Sequence, residues 1–146
     1  MSKLLALLSM IMILSCGDSQ TTTSQPPLLE IKNIAGHSVK EVAAALGEAT
    51  EMEPIKIEGK KNPKYSYKAG AVEIVFINGK ADWITVTLNN GTFDKTALGI
   101  IGLPAADPAF SNPNVMRWKD YEEIQSISLF PKEGGIDYFY IKTLTE

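Results

Sequence analysis

Two residues, Asn78-Gly79, constrain this chain more than any others. They lie between two stretches that alternate along their length. In residues 71–77, Val72, Ile74 and Phe76 alternate with Glu73, Val75 and Ile77. In residues 80–88, Ile84, Val86 and Leu88 share one face, and Trp83, Thr85 and Thr87 share the other. A two-residue turn between paired strands needs positive φ at both positions, and Asn-Gly tolerates that best. The centre of the chain is therefore an antiparallel hairpin with one apolar face for a core.

The flanking sequence extends this into a larger sheet with helices. Ser38-Val39-Lys40-Glu41 is a capping box: the Ser hydroxyl accepts from the third helical N–H, and the Glu carboxylate accepts from the Ser N–H. Val39, Val42, Ala43 and Leu46 follow at helical spacing, and Gly47 ends the element. The spacing predicts a helix over 39–46. Residues 51–58 read as an irregular or edge strand, 58–64 as a polar turn and 65–68 as a short strand. A second helix is expected over 93–101, capped by Thr92 and ended by Gly102, followed by a long connection over 103–114. Residues 115–119 read as a strand. The last hairpin comprises 125–130, a turn over 131–135, and 136–143, where Phe139 and Ile141 alternate with Tyr138 and Tyr140.

An ungapped shift of 55 residues places Leu46-Gly47 on Ile101-Gly102, Gly79 on Gly134, and Asp82-Trp83-Ile84 on Asp137-Tyr138-Phe139. The element order repeats with it, over 36–88 and 91–143. The fold class expected is α+β: an antiparallel sheet with two short helices on one face. It is either a tandem helix-plus-hairpin repeat or a single domain whose halves look alike.

The N-terminus carries a different signal. After Lys3, residues 4–14 are apolar except for Ser9. Eleven residues are too few to span a bilayer, which takes about 17–25, but they suit the apolar region of a secretory signal. Ile13-Leu14-Ser15-Cys16 follows, containing the only Cys of the chain. A branched apolar residue three before the Cys and a small one just before it resemble a bacterial lipobox, although Leu14 stands where a small residue is usual. The resemblance implies cleavage before Cys16 and lipidation of Cys16. Lipoproteins of this type carry more than one acyl chain, which makes anchoring stable. Gly17, not Asp, follows the Cys, which in proteobacterial lipoproteins of the kind it resembles implies the outer membrane. Residues 17–27 (GDSQTTTSQPP) have almost nothing to bury and read as a tether. The chain thus divides into a signal peptide (1–15), a lipidated Cys with its tether (16–27), and a domain (28–146). The expected location is the bacterial cell envelope, with the domain in the periplasm or at the surface.

Gly36, Ser38, Val42, Leu46 and Gly47 resemble the G-x-S/T-x-x-x-V-x-x-x-L-G-x-P signature of small outer-membrane lipoproteins of the SmpA/OmlA type, which is similar to that of β-lactamase-inhibitor-like domains. Ala49 stands where the signature has Pro. Gly102-Leu103-Pro104 keeps the Pro but lacks the leading Gly. The resemblance implies a small helix-plus-antiparallel-sheet module, often tandem, that binds proteins.

The residues offer little catalytic equipment. One Cys excludes an internal disulfide, and its expected fate is lipidation. The one His, His37, precedes a helix cap and reads as an exposed loop residue. There is no G-x-S-x-G, no H-E-x-x-H and no calcium-loop pattern. No metal site or cofactor is expected. The carboxylates Asp82 with Asp137, or Glu73 with Glu122 and Glu123, are candidates for a hydrolase. Turn geometry and solubility for Asp82 and Asp137, and a solvated loop for Glu122-Glu123, are the preferred readings. Lys56, Lys60, Lys61, Lys64 and Lys68 cluster with Tyr65 and Tyr67. A net charge of −3 argues against a nucleic-acid partner, and lysines guarding an edge strand explain the cluster.

The aromatic face stands out. With Ile84, Val86, Phe139 and Ile141 toward the helices, Trp83, Tyr138 and Tyr140 point away from them, alongside Val75, Ile77 and Phe130. Either this face is open, or residues 103–114 or Trp118 cover it. Trp and Tyr contribute large area with few rotors and are enriched in binding hot spots. The expected function is a membrane-anchored, non-catalytic lipoprotein that binds a protein or envelope component through Trp83, Tyr138, Tyr140, Val75 and Phe130. The alternatives are a small-ligand carrier and a carboxylate hydrolase. Oligomeric state is open.

Overall fold

The computed structural model describes residues 25–144. The expected signal peptide, the lipobox-like stretch, Cys16 and most of the expected tether lie outside these residues. The described chain is dominated by one antiparallel sheet. It is α+β only in the loose sense, with one short α-helix and one comparable 3₁₀ helix.

Helix α1 spans Val39–Leu46, as the sequence predicts. Ser38 N–H donates to Glu41 Oε2 at 2.8 Å, and Glu41 N–H donates back to Ser38 Oγ at 3.4 Å. The Ser38 N–H, and secondarily the Ser38 hydroxyl, which also donates to Oε2 at 2.7 Å, hold the Glu41 carboxyl below its ordinary pKa. Gly47 ends the helix at φ 90°, a conformation that is costly for a residue with a Cβ. The eight strands are β1 (Glu51–Ile57), β2 (Lys60–Tyr67), β3 (Val72–Ile77), β4 (Lys80–Thr87), β5 (Phe110–Asn112), β6 (Val115–Tyr121), β7 (Ile124–Lys132) and β8 (Gly135–Thr143). Their order across the sheet is β1-β2-β3-β4-β8-β7-β6-β5. Two four-stranded meanders therefore meet along β4 and β8. Asn78 (φ 52°) and Gly79 (φ 78°) make the expected turn.

Four expectations are corrected. The polar run 58–64 is not a turn: Glu58-Gly59 alone turns the chain, with φ 48° and 81°, and β2 begins at Lys60. The second helix is 3₁₀, over Lys95–Ile101, and its cap is Asp94, whose carboxylate accepts from Thr96 N–H at 2.7 Å, rather than Thr92. The connection over 103–114 contains strand β5. The final turn is two residues, Glu133-Gly134, because β7 runs through Pro131 to Lys132.

The 55-residue offset holds at the level of element ends. It carries Leu46 onto Ile101, Ile57 onto Asn112, Lys60 onto Val115, Ile77 onto Lys132 and Lys80 onto Gly135, each an element boundary in both halves. It also carries one β-bulge onto the other. The register shift between Val75 and Phe76 leaves Asp82 as the extra residue of β4, and the shift between Phe130 and Pro131 leaves Asp137 as the extra residue of β8. Thr85 pairs directly with Tyr140, its own equivalent, so the pseudo-dyad passes between them. The halves differ at β6: Lys64 faces Val75, whereas Lys119 faces Ser126 rather than Phe130.

The core lies on one side of the sheet. Ile74, Phe76, Ile84, Val86, Leu129, Phe139 and Ile141 form its floor. Ile31, Ile34, Val42, Leu98, Ile101 and Leu103 form its roof, and all are buried. The loop before α1 is tied to β4 by Gly36 N–H to Ala81 O (2.9 Å) and Ala81 N–H to His37 O (2.8 Å).

Tyr67 is fully buried on β2, and its hydroxyl has no hydrogen-bond partner among the described residues. A desolvated donor without an acceptor costs about 1–3 kcal/mol. Tyr67→Phe should therefore leave stability at neutral pH unchanged or raise it by about 1 kcal/mol in urea unfolding. Burial also raises the Tyr67 pKa. A raised folded-state value means that its contribution is intact below the unfolded tyrosine value of about 10 and is lost as pH climbs above it. The alkaline loss of stability should be shallower in Tyr67→Phe. A destabilised variant with an unchanged alkaline limb would contradict the orphaned hydroxyl.

Candidate functional site

The face opposite the core carries the residues singled out from the sequence. Val75 pairs with Trp83 across β3 and β4, and Phe130 pairs with Tyr138 across β7 and β8. These two pairs are equivalents under the 55-residue offset. Thr85 and Tyr140 complete the two sets at the pseudo-dyad. Trp83 and Tyr140 meet edge-on, with centroids 6.5 Å apart. Phe130 and Tyr138 stack at 4.7 Å.

The roof elements all pack on the other side, so the outer face is open within the described residues. Trp118, one of the candidates to cover it, is buried in the core, where its Nε1 donates to Ala106 O at 2.8 Å. Leu103 is buried in the same cluster. The alternative of a covered face is therefore overturned, because the 103–109 connection runs beneath the sheet. Trp83, Phe130, Tyr138 and Tyr140 are half-buried by one another, and Val75 beneath them is 6 % exposed. The Trp83 Nε1 is buried without an acceptor among the described residues.

Charged groups frame this strip. Lys142, cross-strand from Trp83, pairs with the carboxylate of Asp82, which is buried in its bulge. Burial, and secondarily the Asp82 charge, raise the Tyr140 pKa. Lys64 bridges Glu53 (2.5 Å) and Glu73 (3.0 Å), and hydrogen bonds to these two carboxylates raise its pKa. Arg117 Nε donates to Ser128 Oγ at 3.1 Å on the far half of the sheet.

The candidate carboxylate pairs are not brought together. Asp82 and Asp137 lie at opposite ends of the β4–β8 ladder. Residues 82 and 88 bracket their separation along β4, about 20 Å at the usual rise per residue. A glycosidase pair needs about 5–10 Å. Glu73 on β3 is separated from the Glu122-Glu123 turn by β4, β8 and β7. His37 sits at the helix entrance, 3.6 Å from Glu41. Lys56, Lys60 and Lys61 are exposed around the tip of the β1–β2 hairpin at the sheet edge.

A cleft of about 910 Å³ opens among the described residues, between residues 25–30 and the segments around Asn89-Asn90 and Gly99. Its lining includes Leu88, Ile100 and Leu103 at the margin of the core cluster. Sequence reasoning missed the buried Asp82–Lys142 pair, whose partners are sixty residues apart. The repeated Asp-aromatic-apolar triplets were its only trace.

No family model, no curated protein and no solved structure matches this chain.

Proposed function

We propose that this protein is a lipid-anchored, non-catalytic envelope lipoprotein whose outer sheet face binds a protein or envelope component. The halves are read as tandem copies of one helix-plus-meander unit, each supplying one aromatic pair to the shared face. The observation that carries this reading is the open strip of Trp83, Tyr138, Tyr140, Phe130 and Val75 on a sheet whose other side already holds the core. An aromatic strip of this kind is more than solubility requires, and apolar surface rimmed by polar groups marks interaction sites.

Anchoring and binding are tested separately. Cys16→Ser should abolish lipid labelling and release the chain from the membrane fraction. Continued labelling would overturn the anchor. Trp83→Ala with Tyr138→Ala should leave the unfolding transition cooperative yet abolish retention of envelope components on the immobilised chain. Unchanged retention would overturn the face.

A further inference from the structure

We infer that the partner of the outer face is a second copy of this chain. This inference rests on the binding-face reading and names its occupant. The cross-strand registers place one continuous row of residues across all eight strands: Glu51, Ser66, Glu73 and Thr85 on the first half, then Tyr140, Ser128, Arg117 and Phe110 on the second. Size and charge are both divided along it. The first half is small and acidic, with two glutamates. The second is large and basic, with Tyr140 and the only Arg of the chain.

Such a row is complementary to itself. Let a second copy lie face to face with the first, related by a two-fold axis parallel to the strands and running between β4 and β8. Each strand of one half then lies over its counterpart in the other half. Tyr140 of each copy meets Thr85 of the other. Arg117 arrives over Ser66, flanked by Glu51 and Glu73. In the adjacent row, the Lys142 stem arrives over the Trp83 indole while its ammonium stays paired with Asp82 of its own copy. Lys119 arrives over Lys64, whose charge Glu53 and Glu73 already offset. A two-fold axis across the strands instead sets Glu73 against Glu73, which costs energy. Self-complementarity of one patch is what an isologous dimer requires.

The area is adequate for a modest association. Six strands at about 4.8 Å and three rows at about 6.8 Å give roughly 600 Å² of projected sheet per copy, near 1,200 Å² over both. That is the low end of specific interfaces, so micromolar association is expected. Confinement of two anchored copies to one membrane raises their effective concentration further.

The test is sedimentation equilibrium of the full chain in density-matched detergent. The wild type should dimerise. Arg117→Glu and Glu73→Arg should each weaken association at least about tenfold through like-charge contacts. An equimolar mixture of the two variants should recover dimers, because the new carboxylate of one meets the new guanidinium of the other. That recovery also shows that both variants fold. Three results would each overturn the inference: a monomeric wild type, undiminished dimers in either single variant, or a mixture that stays monomeric. A monomeric wild type whose retention of an envelope component still depends on Trp83 and Tyr138 overturns the second copy as partner but supports the binding face. Retention independent of them overturns the face itself.

Discussion

Phe139→Ala should cost about 3–5 kcal/mol of stability, the usual loss for truncating a fully buried aromatic. Phe139 sits on β8 between Val86 and Leu129, fully buried against the roof elements. No collapse of a single neighbour can fill the space, because the floor is a rigid ladder on both sides. A domain of this size has about 5–15 kcal/mol in total, so the variant should melt far below the wild type or not fold at all. Tyr140 is its immediate neighbour and points to the opposite face. Tyr140→Ala should cost about 1–2 kcal/mol, for a half-buried ring and one edge contact with Trp83. Urea unfolding of the two variants distinguishes the faces. Equal losses would mean that the outer face is a second core.

Asp82→Ala should also be costly, at about 3 kcal/mol. The Asp82 side chain is 2 % exposed and pairs with Lys142, which is 29 % exposed. Removing one member of a buried pair leaves a charge without its partner, typically a loss of about 3–5 kcal/mol. The lower end applies because Lys142 reaches solvent and keeps a 3.3 Å bond to Thr143 O. Adding Lys142→Met should recover part of the loss, since exchanging both partners for apolar groups removes the orphaned charge. The equivalent bulge supplies the control. Asp137 is half-exposed, and its carboxylate has no hydrogen-bond or ion-pair partner among the described residues, so Asp137→Ala should change stability by less than about 1 kcal/mol. Matching losses at 82 and 137 would show that the bulge geometry, and not the ion pair, requires aspartate.

Local grammar made much of this fold legible. The Ser38–Glu41 box and the Asn78-Gly79 turn rest on neighbours in sequence, and both form as expected. Alternation placed Trp83, Tyr138 and Tyr140 on one face and Phe139 and Ile141 on the other, because a strand has a strict two-residue period. What escaped depended on distant partners or uncommon turn chemistry. Glu58 takes positive φ at a turn, which its residue type does not advertise. β2 begins with Lys60-Lys61-Asn62-Pro63, poor strand formers held in place by β1 on one side and, farther along, β3 on the other. Asp94, not Thr92, caps the second helix, and the segment winds as 3₁₀ over only seven residues. The matching element order of the two halves was visible at an offset of 55 residues. Only coordinates revealed that the two bulges coincide and that Thr85 faces Tyr140.

The proposed role of the outer face is that this protein meets its partner there. Photo-crosslinking in intact cells tests that claim without choosing the partner beforehand. Benzoylphenylalanine in place of Tyr140, on the outer face, is compared with the same residue in place of Lys40, exposed on α1. A discrete adduct is expected from position 140 and none from position 40. An adduct from position 40 with none from position 140 would contradict that role.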